Sequence, residues 1–387
     1  MDENRLMMRR LRRELRRREK SMVRLLGDFV RCESPSHQKA AVDRLGKLVA
    51  SEWRRRGANV RILRHATRGN HVRAEIWLGE GRPKGQIMVL GHLDTVYPLG
   101  TIAAMPFSVR GGRAFGPGTF DMKAGLVLAL AAVDALSALK IQSQKRLLFF
   151  WNSDEEIGSH SSRAAIEREA KKSDAVLVLE PAAGADGRLK TARKGLGTAE
   201  LIVAGRAAHA GLDPGAGVNA VHELAEQIVR LEHMNNPKRG IALQATVIDG
   251  GTVSNVVPHH ARAEIDIRYT HVADAPKIDR QLRRLRAILP GARVEVRGGI
   301  NRPPLERTSA VLRLFHHARE LMRGLGKDLD EAWTGGGSDG NFTAALGVPT
   351  LDGLGAIGNG AHSAVEHVIV RSLPERAALL AGLLATL

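Results

Sequence analysis

The stretch Arg146–Ser159, RLLFFWNSDEEIGS, decides the fold. A run of large apolar residues, Leu147 to Trp151, stops just short of three acids, Asp154, Glu155 and Glu156. A short apolar run bounded by polar residues reads as a buried strand. Open α/β sheets carry their sites just beyond the carboxyl ends of such strands. Adjacent side chains on extended backbone diverge. One glutamate can therefore hold a metal ion while its neighbour reaches a water or substrate on that ion, as a metal-assisted hydrolase requires. A lone Asp-Glu-Glu is more often a solvated acidic turn, so the rest of the chain has to supply matching ligands.

It does so at the ends of other elements. Upstream, a short buried strand at Ile87–Leu90 runs into Gly91-His92-Leu93-Asp94-Thr95-Val96. A glycine-rich passage, Gly111 to Gly118, leads to Asp121-Met122-Lys123 and then to an apolar helix over about Ala124–Leu139. Downstream, a helix over Ser159–Lys171 precedes a strand, Ala175–Leu179, that ends in Glu180-Pro181. Strands and helices that alternate in this way, with apolar strand cores, imply an α/β fold: a mixed, mostly parallel sheet flanked by helices.

Beyond Glu180 the texture changes. The order is strand (Thr198–Gly205), helix (Val218–Leu231), two strands (Leu243–Ile248 and Ala261–Tyr269), helix (Asp274–Leu289) and strand (Arg293–Arg297). This is the ferredoxin-like α+β order. We expect it to form an inserted domain over residues 194–303, with 1–193 and 304–387 making up the first domain. The first domain resumes with a helix at Ser309–Gly324, a Gly335–Gly337 loop, a strand near Val348–Leu351 and a helix from Pro374.

Composition narrows the function. The chain has 387 residues, 43% of them hydrophobic, which is room for two domains and an ordinary globular core. No apolar run approaches a membrane span. Cys32 is the one cysteine, so an internal disulfide and an all-cysteine zinc site are both excluded, and a reducing, cytoplasmic setting is expected. Export is the alternative, because the arginine-dense segment Met1–Lys20 is ambiguous; it reads as a solvated amphipathic first helix without the apolar core of a signal peptide. The net charge of +17 is scattered and aromatic residues are only 4%, unlike single-strand binders with their interleaved aromatics. Neither nucleic acid nor membrane is expected as a partner.

Five residues stand out as candidate metal ligands: His92, Asp121, Glu156, Glu180 and His362. Imidazole and carboxylate without thiolate suit zinc, with cobalt or manganese as alternatives. Five ligands are too many for one tetrahedral ion with an open position. They fit two ions ~3.5–4 Å apart that share a bridging carboxylate. Asp94, two residues after His92, is placed to accept the other ring N–H of that histidine and fix its tautomer.

The motifs GHLDTV, GPGTFDMKAG, SDEEIGS, LEP and GNGAHSAVEHV, in this order and at similar spacing, resemble the co-catalytic zinc peptidase superfamily of carboxypeptidase G, aminoacylase-1 and succinyl-diaminopimelate desuccinylase. Within it they resemble most the carboxypeptidase G, or glutamate carboxypeptidase, branch, over essentially the whole chain after about residue 20. The resemblance implies that Asp121 bridges two zinc ions and has a cis peptide to Met122. It implies that His92 and Glu180 complete one ion's shell, that Glu156 and His362 complete the other's, and that Glu155 is the general acid/base.

The same resemblance bears on the inserted domain. His209, in Gly205–Gly211, reads alone as a surface loop histidine; the resemblance implies that it reaches a partner subunit's site and steadies the oxyanion. Asn255 and Arg268 match positions near the substrate carboxylate, Arg302, at the expected hinge, matches an arginine that grips the terminal carboxylate, and Gly336 and Gly337 match a glycine loop that approaches the substrate. The resemblance further implies a homodimer formed through the inserted lid domain, and a small-molecule or peptide substrate with a free carboxylate. The expected reaction is carboxypeptidase release of a glutamate-like amino acid. The alternatives are N-acyl amino acid deacylase, dipeptidase or other amidohydrolase activity on the same scaffold, and, more remotely, a non-catalytic metal- or nucleic-acid-binding protein.

Overall fold

The computed structural model describes residues 2–387. It divides into two compact units: one runs through Ala192 and resumes over Arg307–Trp333 and Ser338–Leu387, and the other comprises Arg193–Glu306 with Thr334–Gly337.

The first unit is built on a six-stranded sheet. Its spatial order is Asn59–Leu63, His71–Ile76, Arg146–Asn152, Gln86–His92, Ala175–Val178 and Thr350–Leu351. The last four are mutually parallel, and the first two are joined in antiparallel fashion. The Gln86–His92 strand is buried along its whole length, which explains its lack of apolar–polar alternation. The helix Ala124–Ala138 is buried on nearly all sides for the same reason. Trp53 stacks on Phe149, with ring centroids 4.0 Å apart, and Trp151 lies against both, so the aromatic end of the opening stretch forms a stacked cluster within the core.

Two departures from expectation have clear causes. The first helix, Asp2–Arg17, is amphipathic but not merely solvated: Met8, Leu11 and Leu15 are fully buried, packed toward the helices Leu373–Thr386 and Ala124–Ala138, while Leu6 is 61% exposed. Its arginines occupy the opposite face, so a segment that reads as polar overall still carries an apolar stripe of core residues. Met1, part of the expected first segment, lies outside the described residues. A small antiparallel sheet, Gly358–Asn359, His367–Ile369, Arg113–Phe115 and Ser108–Arg110, has no counterpart in the sequence reading. Its strands of two and three residues are too short for period-two alternation to register.

The second unit is a four-stranded antiparallel sheet in the order Ala242–Gly250, His260–Tyr269, Gly195–Ala204, Arg293–Arg302. With the helices Ala220–Glu232 and Ala275–Arg283 this is the ferredoxin-like arrangement. Ala261, Ala263, Ile265, Ile267 and Tyr269 alternate inward and are buried. The second helix stops at Arg283 rather than running to Leu289. The buried carboxylate of Glu223 accepts the main-chain N–H groups of Ile288 and Leu289, and Pro290 disfavours helix at the residue before it.

Among the described residues, no helix is long and apolar enough to cross a membrane.

Candidate active site

Three adjacent parallel strands deliver the site. Gln86–His92 lies between Arg146–Asn152 and Ala175–Val178, so His92, the acids after Asn152 and Glu180 all emerge at one edge of the sheet. Asp121 comes from the turn that opens the helix at Ala124, and its peptide to Met122 is cis. His362 lies at the tip of the hairpin joining Gly358–Asn359 to His367–Ile369, in the left-handed region at φ 61°. Gly91 makes the close approach possible: a β-carbon there would lie 2.4 Å from the Met122 side chain, whose sulfur accepts the His92 main-chain N–H at 3.3 Å.

Two groups of candidate ligand atoms result. His92 Nε2 lies 3.2 Å from Asp121 Oδ1 and 3.5 Å from Glu180 Oε1. His362 Nε2 lies 3.2 Å from Glu156 Oε2 and 3.5 Å from Asp121 Oδ2. Within each triad, His92–Asp121–Glu180 and Asp121–Glu156–His362, the ligand atoms lie within 4.8 Å of one another. Asp121 belongs to both and turns one oxygen toward each histidine. A tetrahedral ion with bonds of about 2.0–2.1 Å has ligand–ligand edges of about 3.3 Å. The donor types and spacings therefore fit two divalent ions with Asp121 between them.

The electrostatics agree with a cation-binding centre. Burial opposes charge on His92, but hydrogen bonding to Asp121 and Glu180 outweighs it and raises the imidazole well above its ordinary range. Asp121 and Glu156 hold His362 up at about 10. Burial pushes Glu156 up to about 7 against its contact with His362. Asp121, although buried, is held below the usual carboxylate range by the two histidines.

Asp94 is not arranged as expected. His92 Nδ1 lies 2.9 Å from the Asp94 main-chain oxygen, whereas the carboxylate is 3.6 Å away. The tautomer is therefore set by a backbone carbonyl. The carboxylate instead accepts the Ser36 hydroxyl at 2.7 Å and the main-chain N–H groups of Glu155 at 3.1 Å and Glu156 at 3.2 Å. Glu155–Ile157 is a 3-10 turn rather than extended chain. Its three residues per turn still direct adjacent side chains about 120° apart.

In the second unit the candidate residues form local groups. His209 is exposed, and its Nδ1 accepts the main-chain N–H groups of Gly211 and Leu212 at 3.1 and 3.0 Å. That assigns the proton of the neutral ring to Nε2. The Asn255 carbonyl accepts the Ala210 N–H at 2.9 Å, which brings Asn255 beside His209. Arg268 forks onto Asp266 and also donates to the Gly335 carbonyl at 3.2 Å. Arg302 is buried, with its Cδ 3.2 Å from where a β-carbon on Gly337 would sit. Gly336 and Gly337 are held through their carbonyls by Arg193, at 3.1 and 3.0 Å.

Arg193, Ser36 and Glu366 are not among the residues expected from the sequence. Arg193 had a signal, a charge at an inward position of the alternating strand Leu189–Arg193. Ser36, distant in sequence from Asp94, had none. Glu366 stood within the quoted motif around His362, an acid among apolar neighbours.

Comparison with known proteins agrees with this geometry. Residues 88–386 match the model of peptidase family M20/M25/M40. Carboxypeptidase G2 of Pseudomonas sp. (strain RS-16) is 30% identical over 373 residues, covering 95% of this chain and 89% of the relative. Succinyl-diaminopimelate desuccinylase of Stenotrophomonas maltophilia (strain R551-3) is 27% identical over 319 residues, covering 77% and 83%. In fold, the chain is similar to an M20 family metallo-carboxypeptidase from Sulfolobus solfataricus, with a TM-score of 0.75 at 17% identity and coverage of 94% and 98%. The matched family model and the similarity over most of the chain place it in peptidase family M20/M25/M40, as a metal-dependent hydrolase of amide bonds, and the two candidate ligand triads agree with that.

Proposed function

We propose that the protein is a two-zinc exopeptidase that cleaves the amide bond N-terminal to an amino acid with a free α-carboxylate, glutamate-like side chains being preferred. The observation that carries this reading is the placement of Asp121, with one oxygen facing His92 and the other facing His362. His92 and Glu180 would hold one ion, Glu156 and His362 the other, and Asp121 both.

The ions, when bound, would supply Lewis acidity and a water acidified to near neutrality. Glu155 takes the proton that water gives up as its oxygen adds to the scissile carbonyl carbon, and returns it to the leaving nitrogen as the C–N bond breaks. Asp94 holds the main chain of Glu155 and Glu156 and so orients base and ligand together. His209, with its proton on Nε2, is a donor suited to the developing oxyanion, in the site of a partner subunit. Arg302 offers the planar fork that pairs a carboxylate, with Arg268 and Asn255 near it and the Gly336–Gly337 backbone alongside the substrate. Asp266 already occupies the fork of Arg268.

Homodimerisation through the second unit is supported by the outer edge of the Ala242–Gly250 strand, where Ile248 is 61% exposed beside an exposed Val247. Such an edge favours pairing with another chain. A cytoplasmic setting is consistent with the lone Cys32 thiol. Similarity to a succinyl-diaminopimelate desuccinylase keeps a second reading in view, a deacylase acting on an N-acyl amino acid.

The test is a hydrolysis screen of N-acyl amino acids, folyl-glutamate and dipeptides on zinc-loaded protein, with a chelator control. Chelator-sensitive release of glutamate supports the proposal. Release from short N-acyl groups alone favours the deacylase, and hydrolysis indifferent to chelator contradicts both.

A further inference from the structure

Glu366 is fully buried and lies outside the candidate ligand groups, yet its carboxylate meets the main chain of the Asp121 turn at three points. Its Oε1 accepts the main-chain N–H groups of Phe120 at 2.7 Å and Asp121 at 2.9 Å. Its Oε2 accepts the N–H of Gly118 at 3.1 Å and the Tyr97 hydroxyl at 2.5 Å. The Ser363 carbonyl lies 2.9 Å from the same hydroxyl. These donors stand at the head of the buried helix, where main-chain N–H groups have no partner within the helix. One carboxylate satisfies three of them with charge-assisted bonds.

Glu366 also belongs to the segment that carries His362. The turn is closed by Ser363 N–H donating to the Gly360 carbonyl and Glu366 N–H donating to the Ser363 carbonyl. It is therefore short and cross-braced, and its histidine is held in a left-handed conformation. Tyr97 anchors the same turn from the loop that follows His92 and Asp94. The Glu366 carboxylate is thus the point where the chain bearing Asp121 and the chain bearing His362 are fastened together, and these two residues share one of the two candidate ion positions.

We propose that Glu366, braced by Tyr97, is a positioning residue that sets the separation of Asp121 from His362 and so governs occupancy of the Asp121–Glu156–His362 metal position. This rests on the two-metal reading. A glutamine at 366 keeps size and shape but turns an NH2 group toward either the Phe120 and Asp121 N–H pair or the Gly118 and Tyr97 pair. Donors then face donors, and the turn shifts away from His362. The His92–Asp121–Glu180 position keeps its two remaining ligands on rigid strand ends and is less affected. Changes to residues that orient metal ligands cost about 10- to 100-fold in affinity.

The experiment is a Co2+ titration of the metal-stripped full chain, read by bound-metal content and the visible absorption of cobalt, for the natural protein, Glu366→Gln and the milder Tyr97→Phe. The expected result is two bound ions for the natural chain. For Glu366→Gln the first ion is expected at near-normal affinity and the second at least 10-fold weaker, with Tyr97→Phe shifted in the same direction by a smaller factor. Two ions bound with unchanged affinity by both variants would overturn the positioning role while leaving the two-metal reading intact. A lower melting temperature with both affinities unchanged would reduce Glu366 to a structural brace and likewise overturn the proposal. Fewer than two ions in the natural chain would remove the two-metal reading, and the proposal with it.

Discussion

The carboxylate of Asp94 receives the main-chain N–H of Glu155 at 3.1 Å, and its second oxygen receives that of Glu156 at 3.2 Å. One side chain, itself braced by Ser36, thereby orients both the proposed base and a proposed ligand. Asp94→Ala should lower kcat about 100-fold, the scale expected when a reacting group is misplaced by about 1 Å. Asp94→Asn retains one accepting oxygen and should lose less. Steady-state kinetics on both variants check this; an unchanged kcat in Asp94→Ala would separate Asp94 from the chemistry.

Glu155 itself should be dispensable for metal and indispensable for turnover. Glu155→Ala is expected to cut kcat by about 100- to 10,000-fold, the range of general acid–base catalysis, with metal content near two per chain. Loss of metal in this variant would make Glu155 a ligand rather than a base.

His209 presents its Nε2 proton outward because Gly211 and Leu212 occupy Nδ1. His209→Ala should lower kcat about 100- to 1,000-fold with little change in substrate affinity. A rise in KM at constant kcat would instead make it a binding residue.

Arg302→Ala should chiefly raise KM, since a carboxylate clamp acts in ground state and transition state alike. Arg302 is buried, so a melting curve must accompany the kinetics. Full activity in the folded variant would move the anchor to Arg268.

Away from the site, Glu331 carries a pH signature. Hydrogen bonds from Arg307 hold its carboxyl down to about 2, against burial and with help from the Thr191 hydroxyl. A carboxyl depressed on folding stabilises above its unfolded value of about 4.3, and that contribution fades as pH falls toward 2. The pair is partly exposed, so solvent screens much of its contribution. The melting-temperature gap between the natural protein and Glu331→Gln should be present at pH 6 and shrink progressively below pH 4. A gap that widens with acid would contradict the assignment.

The legibility of these features in the sequence follows from the range of the forces involved. Strands such as Leu147–Trp151 and Ile87–Leu90 were readable because burial on both faces leaves unbroken apolar runs, and His92, Glu156 and Glu180 were readable because they end them. The second unit was readable through alternation at Ala263, Ile265, Ile267 and Tyr269. The early end of the second helix was not, because the carboxylate that takes the N–H groups of Ile288 and Leu289, that of Glu223, lies more than 60 residues away in the chain. Asp94 was misread for a related reason: a two-residue spacing predicts side chains on one face, but a main-chain carbonyl reached His92 first. Glu366 is the extreme case: it stands in the quoted motif, but apart from the Tyr97 hydroxyl its carboxylate is met by backbone N–H groups, which no residue type announces.

Asp121 is expected to serve two ions at once. Zinc content by mass spectrometry, after loading and exhaustive dialysis, tests it most directly on the natural chain and on Asp121→Ala. Two ions are expected per natural chain, with loss of both from the variant, because each triad loses its shared residue. One ion or none in the natural chain, or two retained without Asp121, would contradict it.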